Sequence, residues 1–203
     1  MPRHRGSFHS SAPLYYKHKR KFTTEEWQAI VDEHETKARR ASAAKAKKDS
    51  RIGSRAAALP KKPWVNSEGL SWNKLRGRVV VLAFGAYWCG PCQNDYPILE
   101  NWHQGRKPSG VDIVAVHTPT SSLKEVKGLV RKHKISYPMV VDEPKPEGGS
   151  GFGKISSWFH VDYIPYYVVV DQTGQVAGHG SLVDALQTAR KTVAKKPSEK
   201  IAK

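Results

Sequence analysis

Two kinds of apolar pattern alternate along the middle of the chain. Unbroken apolar runs at 79–84 and 111–116 are typical of strands that are buried on both faces of a sheet. Elsewhere, apolar residues recur every three or four positions, which predicts amphipathic helices. The patterns predict strands at 79–84, 111–116, 139–141, 166–170 and 175–180, and helices at 93–104, 122–134, 154–160 and 182–193.

The order of these elements predicts an α/β fold. Strands and helices alternate up to 154–160, and a hairpin at 166–180 then leads into the last helix. Alternation of this kind predicts a mixed sheet that is parallel at its centre, with helices on both faces. Residues 64–78 predict either a short hairpin or a strand leading into a turn, and 143–153 predict a surface loop.

The first 63 residues have a different character. Residues 1–21 are polar, basic and aperiodic, which is typical of disorder. Thr23 and Glu26 resemble a capping box before an amphipathic helix at about 24–48. Its short apolar stripe either docks lightly on the domain or belongs to a larger assembly, and the alternative is an exposed basic helix. Residues 49–63 resemble a linker. We therefore expect a basic extension at 1–63, a folded domain at 64–193 and a basic tail at 194–203.

The net charge of +16 is carried by the two ends of the chain. Residues 1–63 contain 16 Lys and Arg against 6 Asp and Glu, 64–189 contain 12 against 11, and 190–203 contain 6 against 1. An acidic partner should therefore meet the ends rather than the domain. No apolar run is long enough to span a membrane, and the basic start is not followed by the apolar stretch of a signal peptide.

The chain contains only two cysteines, Cys89 and Cys92, and they follow the buried run at 79–84. At the start of a helix, backbone N–H groups and the helix dipole stabilise a thiolate, which makes Cys89 the expected nucleophile. Cys92 lies within one helical turn and can resolve a mixed disulfide. Gly90 and Pro91 suit this position, because proline is tolerated in the first turn of a helix.

Two other interpretations of the cysteine pair were weighed. A zinc half-site would need further ligands, and the domain has no second cysteine pair and no closely spaced pair of histidines. A structural disulfide that closes so short a loop would constrain little of the unfolded chain. A redox pair is therefore favoured, with no metal.

From about residue 60 to 193, the sequence resembles the TlpA/ResA-like thiol-disulfide oxidoreductases of the thioredoxin superfamily. The motif Trp88-Cys89-Gly90-Pro91-Cys92 carries most of the resemblance, and Pro97, Gly77-Arg78 and Ile164-Pro165 extend it. The resemblance implies a thioredoxin-like three-layer α/β/α sandwich with a C-terminal β-hairpin plus helix. It implies exchange or reduction of protein disulfides, with an upstream electron donor and no cofactor beyond the cysteine pair. It also implies a periplasmic or other extracytoplasmic location, although no signal peptide or anchor is visible in this chain.

The resemblance also assigns further site residues. Pro165 should form a cis peptide bond beside the cysteines, and the backbone of Ile164 should pair with substrate. Thioredoxins bury an aspartate at the position of Ala83, which cannot carry a proton. Asp95 matches instead an acid that ResA-like proteins hold near the site, where a raised pKa would let it take the proton of Cys92. The alternative is a solvated aspartate in the first turns of a helix.

Related functions and a second hypothesis were also considered. Leu82 and Ala86 replace the residues that peroxiredoxins use, and the cysteine spacing differs from that of copper-delivery proteins. We interpret His103, His117, His133, His160 and His179 as surface or packing residues. The alternative function is a redox-sensing or docking module whose basic ends bind an acidic protein, nucleic acid or a membrane surface. No nucleic-acid motif supports it.

Overall fold

A computed structural model of the protein describes residues 51–61, 63–106, 110–145 and 152–195. The predicted disordered segment and helix at 1–48 and most of the basic tail lie outside these residues. Within the described ranges the strands are β1 (Trp64–Val65), β2 (Val79–Gly85), β3 (Val111–His117), β4 (Met139–Val141), β5 (Tyr166–Val170) and β6 (Val176–Gly180). The helices are α1 (Gly90–Arg106), α2 (Leu123–His133), α3 (Lys154–Trp158) and α4 (Leu182–Val193).

The strands form one mixed sheet in the order β1-β4-β3-β2-β5-β6. The strands β2, β3 and β4 are parallel, whereas β1, β5 and β6 pair antiparallel with their neighbours. Every residue of β2 and of β3 is buried, as expected for central strands that are covered on both faces. The predicted mixed sheet with a parallel centre is confirmed.

Helices cover both faces of the sheet. On one face, Val80, Leu82 and Phe84 of β2 share a core with residues in and just after α3, including Ile155 and Phe159. Side chains alternate along a strand, so the other residues of β2 face the opposite layer, which contains α1 and α4. The two layers of helices and the sheet between them form the expected thioredoxin-like three-layer sandwich.

The helix boundaries have local causes. The side chain of Ser122 accepts a hydrogen bond from Glu125 N–H at the start of α2, and the Glu125 carboxylate accepts one from Ser122 N–H. Ser181 and Asp184 make the same capping box before α4. Helix α1 begins at Gly90, three residues before the predicted 93, because the residues between the cysteines form its first turn. None of the described helices is both long and apolar enough to cross a membrane.

The segment at 64–78 contains a strand that leads into a turn and not the alternative hairpin. Trp64 of β1 lies opposite Val140 of β4, which is distant in sequence. Within the described residues, the ladder partner of β1 is therefore the edge of the main sheet, which local turn signals cannot reveal.

The segment interpreted as a linker makes contacts with the domain. Gly53 N–H donates to the Val176 carbonyl at 2.8 Å, and the Ser54 carbonyl accepts from Val176 N–H at 2.9 Å. Ala56 and Leu59 are buried in the core that contains α3. Part of the predicted linker is thus packed along the β6 edge of the sheet, and the packed body begins before residue 64.

Candidate active site

The two cysteines lie where central strand β2 gives way to helix α1. The strand ends at Gly85, a short turn follows, and α1 starts at Gly90 with Pro91 in its first turn. Cys89 N–H donates to the Ala86 carbonyl at 3.1 Å, which closes this turn. The strand therefore delivers Cys89 directly to the N-terminus of the helix.

Cys89 and Cys92 form a disulfide, with their Cα atoms 5.3 Å apart. Both residues are 4% exposed, so burial alone does not decide which sulfur attacks a substrate. Cys92 packs against the end of β2: a Cβ atom added at Gly85 would lie 3.4 Å from Cys92 Sγ. The second cysteine therefore packs directly against the end of the strand.

A backbone contact distinguishes the two sulfurs. The N–H of Cys92 donates to Cys89 Sγ at 3.2 Å, within the first turn of α1. A donor at a helix N-terminus stabilises negative charge on the atom that accepts from it. The arrangement can therefore stabilise a thiolate on Cys89 when the pair is reduced.

The proline loop, which contains Ile164 and Pro165, lies beside the cysteines, because β5 pairs antiparallel with β2. Phe84 is opposite Tyr166, so the residues just before β5 lie at the same end of the sheet as Cys89. The Ile164-Pro165 peptide bond is cis. The side chain of Ile164 packs against the small cluster formed by the two cysteines and Ala86.

Trp88 forms an exposed rim to the site. Its side chain is 59% exposed, and its Nε1 donates to Thr120 Oγ1 at 3.2 Å. The adjacent Tyr87 N–H donates to Ser121 Oγ at 3.1 Å. The loop between β3 and α2 therefore supports the turn that carries the cysteine motif.

Asp95 lies one turn after Cys92 on α1 and is partly buried. Tyr167 of β5 donates its hydroxyl to Asp95 Oδ2 at 2.6 Å. Burial raises the pKa of Asp95, and the hydrogen bond from Tyr167 partly opposes that effect by stabilising the carboxylate. The environment differs from that of the solvated aspartate in the alternative interpretation.

Sequence reasoning did not find the tyrosines around this carboxylate. Tyr96 approaches His117 Nε2 with its hydroxyl at 3.4 Å, while Tyr137 is fully buried and its hydroxyl has no hydrogen-bond partner among the described residues. The unusual number of tyrosines in the chain was a weak signal, but their convergence depends on β5, on α1 and on the loop before β4. No local pattern indicates that convergence.

The five histidines differ in their surroundings. His103 and His117 are buried, His133 and His179 are partly buried, and His160 is exposed. Burial lowers the pKa of His117 to about 4, so its ring is neutral at pH 7. In the described part of the chain, no group of three or more His, Cys, Asp or Glu residues is arranged to hold a metal ion.

Comparison with known proteins places this site in a family. The Redoxin family model matches residues 61–194. The protein DipZ of Mycobacterium bovis is 33% identical over 122 residues, which are 56% of this chain and 16% of DipZ. The thiol-disulfide oxidoreductase ResA of Bacillus subtilis is 25% identical over 111 residues, or 55% of this chain and 57% of ResA. The chain thus spans less than two thirds of the length of these relatives.

Solved structures have the same fold. A thiol-disulfide isomerase from Corynebacterium glutamicum matches with a TM-score of 0.60 and 23% identity, over 70% of this chain and 98% of that one. A Chlorobium tepidum protein assigned as a thiol:disulfide interchange protein DsbE matches with a TM-score of 0.56 and 22% identity, over 70% of this chain and 97% of that one. With the family model covering well over half of its length, the chain belongs to the Redoxin family and is a TlpA/ResA-like member of the thioredoxin superfamily.

Proposed function

We propose that this protein is a thiol-disulfide oxidoreductase that reduces or exchanges disulfides in protein substrates. The observation that carries the proposal is the hydrogen bond from Cys92 N–H to Cys89 Sγ at the start of α1. It supports Cys89 as the sulfur that carries the negative charge, and the thiolate is the reactive form of cysteine. The names of the relatives ResA and DsbE support the same activity.

The first step uses the reduced form of the pair. The Cys89 thiolate attacks one sulfur of a substrate disulfide, and a Cys89–substrate disulfide forms as the substrate bond breaks. The leaving substrate sulfur takes a proton and becomes a thiol. The N–H donor and the N-terminus of α1 favour the thiolate that begins this step.

The second step releases the substrate. Cys92 loses its proton and attacks Cys89 Sγ, which forms the Cys89–Cys92 disulfide and frees the second substrate thiol. Two electrons pass from the pair to the substrate, and an upstream thiol donor must reduce the pair again. Asp95, one helical turn after Cys92, is the proposed acceptor of the Cys92 proton, since burial gives its carboxylate a raised pKa.

The proline loop and Trp88 are the proposed substrate contacts. Ile164 precedes the cis-proline just before β5, at the end of the sheet that holds the cysteines, and we propose that its backbone pairs with an extended substrate segment. Ile164 packs on the cysteine cluster, and Trp88 offers an exposed aromatic surface beside it. By resemblance to TlpA/ResA-like proteins, we place the activity in an extracytoplasmic compartment.

The test is reduction of insulin disulfides by the full chain in the presence of dithiothreitol. We expect Cys89→Ser to lower the rate to that of dithiothreitol alone, because the attacking sulfur is gone. In a separate reaction without dithiothreitol, which would reduce a mixed disulfide, we expect the Cys92→Ser chain to accumulate a mixed disulfide between Cys89 and the substrate, detectable by mass spectrometry, because the resolving thiol is missing.

Pro97→Ala provides a control inside α1 that leaves both sulfurs in place, and it should still reduce insulin. Full activity of Cys89→Ser would contradict the proposal. The proposal would also be contradicted if the Cys89→Ser chain accumulated as much mixed disulfide on Cys92 as the Cys92→Ser chain does on Cys89, since either sulfur could then attack first. The alternative docking function depends on the basic ends, and no described contact favours it.

A further inference from the structure

The hydroxyl of Tyr167 is the polar group that reaches the Asp95 carboxylate from the sheet. We propose that Tyr167 is a positioning residue that holds Asp95 in its ionised form beside Cys92, so that the carboxylate can accept the proton of Cys92. The proposal rests on the proposed thiol-disulfide exchange, and it adds a residue that controls the pH range of that step.

The register of the sheet explains how a strand residue reaches the active-site helix. Tyr167 of β5 lies directly opposite Ala83 of β2, and residues opposite each other in a ladder share a face of the sheet. This face is the one covered by α1, where the Tyr167 hydroxyl meets Asp95 Oδ2 at 2.6 Å. Proton handling on this side of the sheet thus involves a carboxylate on the helix, held by a phenol on β5, while position 83 itself contributes only a methyl group.

The hydrogen bond is oriented by the chemistry of its two partners. Burial, together with the neighbouring Asp95 carboxylate, raises the pKa of Tyr167 well above its usual value. The phenol therefore keeps its proton throughout the working pH range and acts as a permanent donor. A donor to a carboxylate favours the ionised form, which counteracts the burial of Asp95.

Other titratable groups face this carboxylate from several elements. Tyr96 on α1 and Tyr137 before β4 both interact electrostatically with Asp95, and Cys92 precedes Asp95 by three residues on the same helix. His117 of β3 and His133 of α2 contact Tyr96 rather than Asp95. The buried residues of α4 are Ala185, Leu186 and Ala189, which carry no titratable group. Of the tyrosines named here, Tyr167 is the one that hydrogen-bonds to Asp95.

The test compares Tyr167→Phe with Tyr166→Phe in the full chain. The hydroxyl of Tyr166 pairs with His179 Nδ1 at 2.6 Å, so this neighbouring variant loses a phenol hydrogen bond without touching Asp95. The titration of Asp95 is followed by carbon-detected NMR of its carboxyl group. In Tyr167→Phe we expect the midpoint to rise by about one pH unit, a roughly tenfold change in the ionisation constant. In Tyr166→Phe it should stay at the wild-type value.

The exchange rate is measured against pH in the same chains. The acid limb should move to higher pH in Tyr167→Phe, and the substitution should have no further effect on that limb in an Asp95→Asn background. An unchanged Asp95 midpoint in Tyr167→Phe would overturn the proposal. An equal shift of the Asp95 midpoint in Tyr166→Phe would also overturn it. So would a shift of the acid limb by Tyr167→Phe that is as large in the Asp95→Asn background as in the wild-type chain.

Two features separate this proposal from the exchange activity and from folding. The NMR titration needs no turnover, so absence of insulin reduction would refute the proposed function while the coupling of Tyr167 to Asp95 was still measured. If Tyr167→Phe does not fold, the hydroxyl proton of Tyr167 can be followed in the wild-type chain. Its resonance should shift along with the Asp95 titration, and a resonance that does not respond would refute the contact.

Discussion

Tyr137 is fully buried, and its hydroxyl has no hydrogen-bond partner among the described residues. Burying a hydroxyl without a partner costs about 1–3 kcal/mol. Tyr137→Phe removes that cost and keeps the ring, while the small void left by the oxygen restores part of it. We therefore expect Tyr137→Phe to raise the free energy of unfolding by about 1 kcal/mol.

The same substitution at Tyr166 is the matched control. Its hydroxyl pairs with His179 Nδ1 at 2.6 Å, so Tyr166→Phe should lower the free energy of unfolding by about 1 kcal/mol. For a chain of this length, each of these changes corresponds to a shift of about 2–4 °C in Tm, upward for Tyr137→Phe and downward for Tyr166→Phe.

The assay is urea unfolding of the oxidised full chain, followed by tryptophan fluorescence, with thermal unfolding as a second measurement. Both variants should keep the wild-type dependence of the unfolding free energy on urea concentration, since neither changes the surface exposed on unfolding. A loss of stability in Tyr137→Phe as large as that in Tyr166→Phe would mean that the Tyr137 hydroxyl has an acceptor, and would refute the reasoning.

Two further predictions concern packing and pH. A Cβ at Gly153 would overlap Asp142 Cγ and lie 2.6 Å from the Glu143 carbonyl oxygen, so Gly153→Ala should lower the unfolding free energy, measured by urea unfolding, by about 1–3 kcal/mol or more. Gly128 in α2 has open space around it, and Gly128→Ala should instead add about 0.5–1 kcal/mol; the same sign for both would contradict the packing argument. His117 has a pKa of about 4 when folded and an ordinary value of 6.5 when unfolded, so the unfolded chain binds more protons between these values and stability falls as pH drops through them, by up to about 3 kcal/mol. Urea unfolding at stepped pH should show a flatter acid limb in His117→Gln than in wild type, and parallel limbs would exclude this role.

Much of the fold followed from local pattern. Unbroken apolar runs identified β2 and β3, because a strand that is buried on both faces is apolar at every position. Apolar residues every three or four positions identified α2 and α4, because such helices bury one stripe. The boundary of α1 was less accurate, since Gly90 and Pro91 carry no apolar periodicity and yet form its first turn. The pairing of β1 with β4 and the packing of Ala56 and Leu59 left no such pattern.

For the site, the sequence alone determined the pair Cys89 and Cys92 and their position after a buried strand, because a spacing of three residues, the end of a strand and the start of a helix are local features. The candidates Asp95 and Pro165 came from the family resemblance. Only the tertiary structure showed that Tyr167 lies against Asp95, because their contact depends on the register of β5 against β2 and on the packing of α1 over that face. Sequence distance hides such contacts, and here the hydrogen bond joins residues that are 72 positions apart.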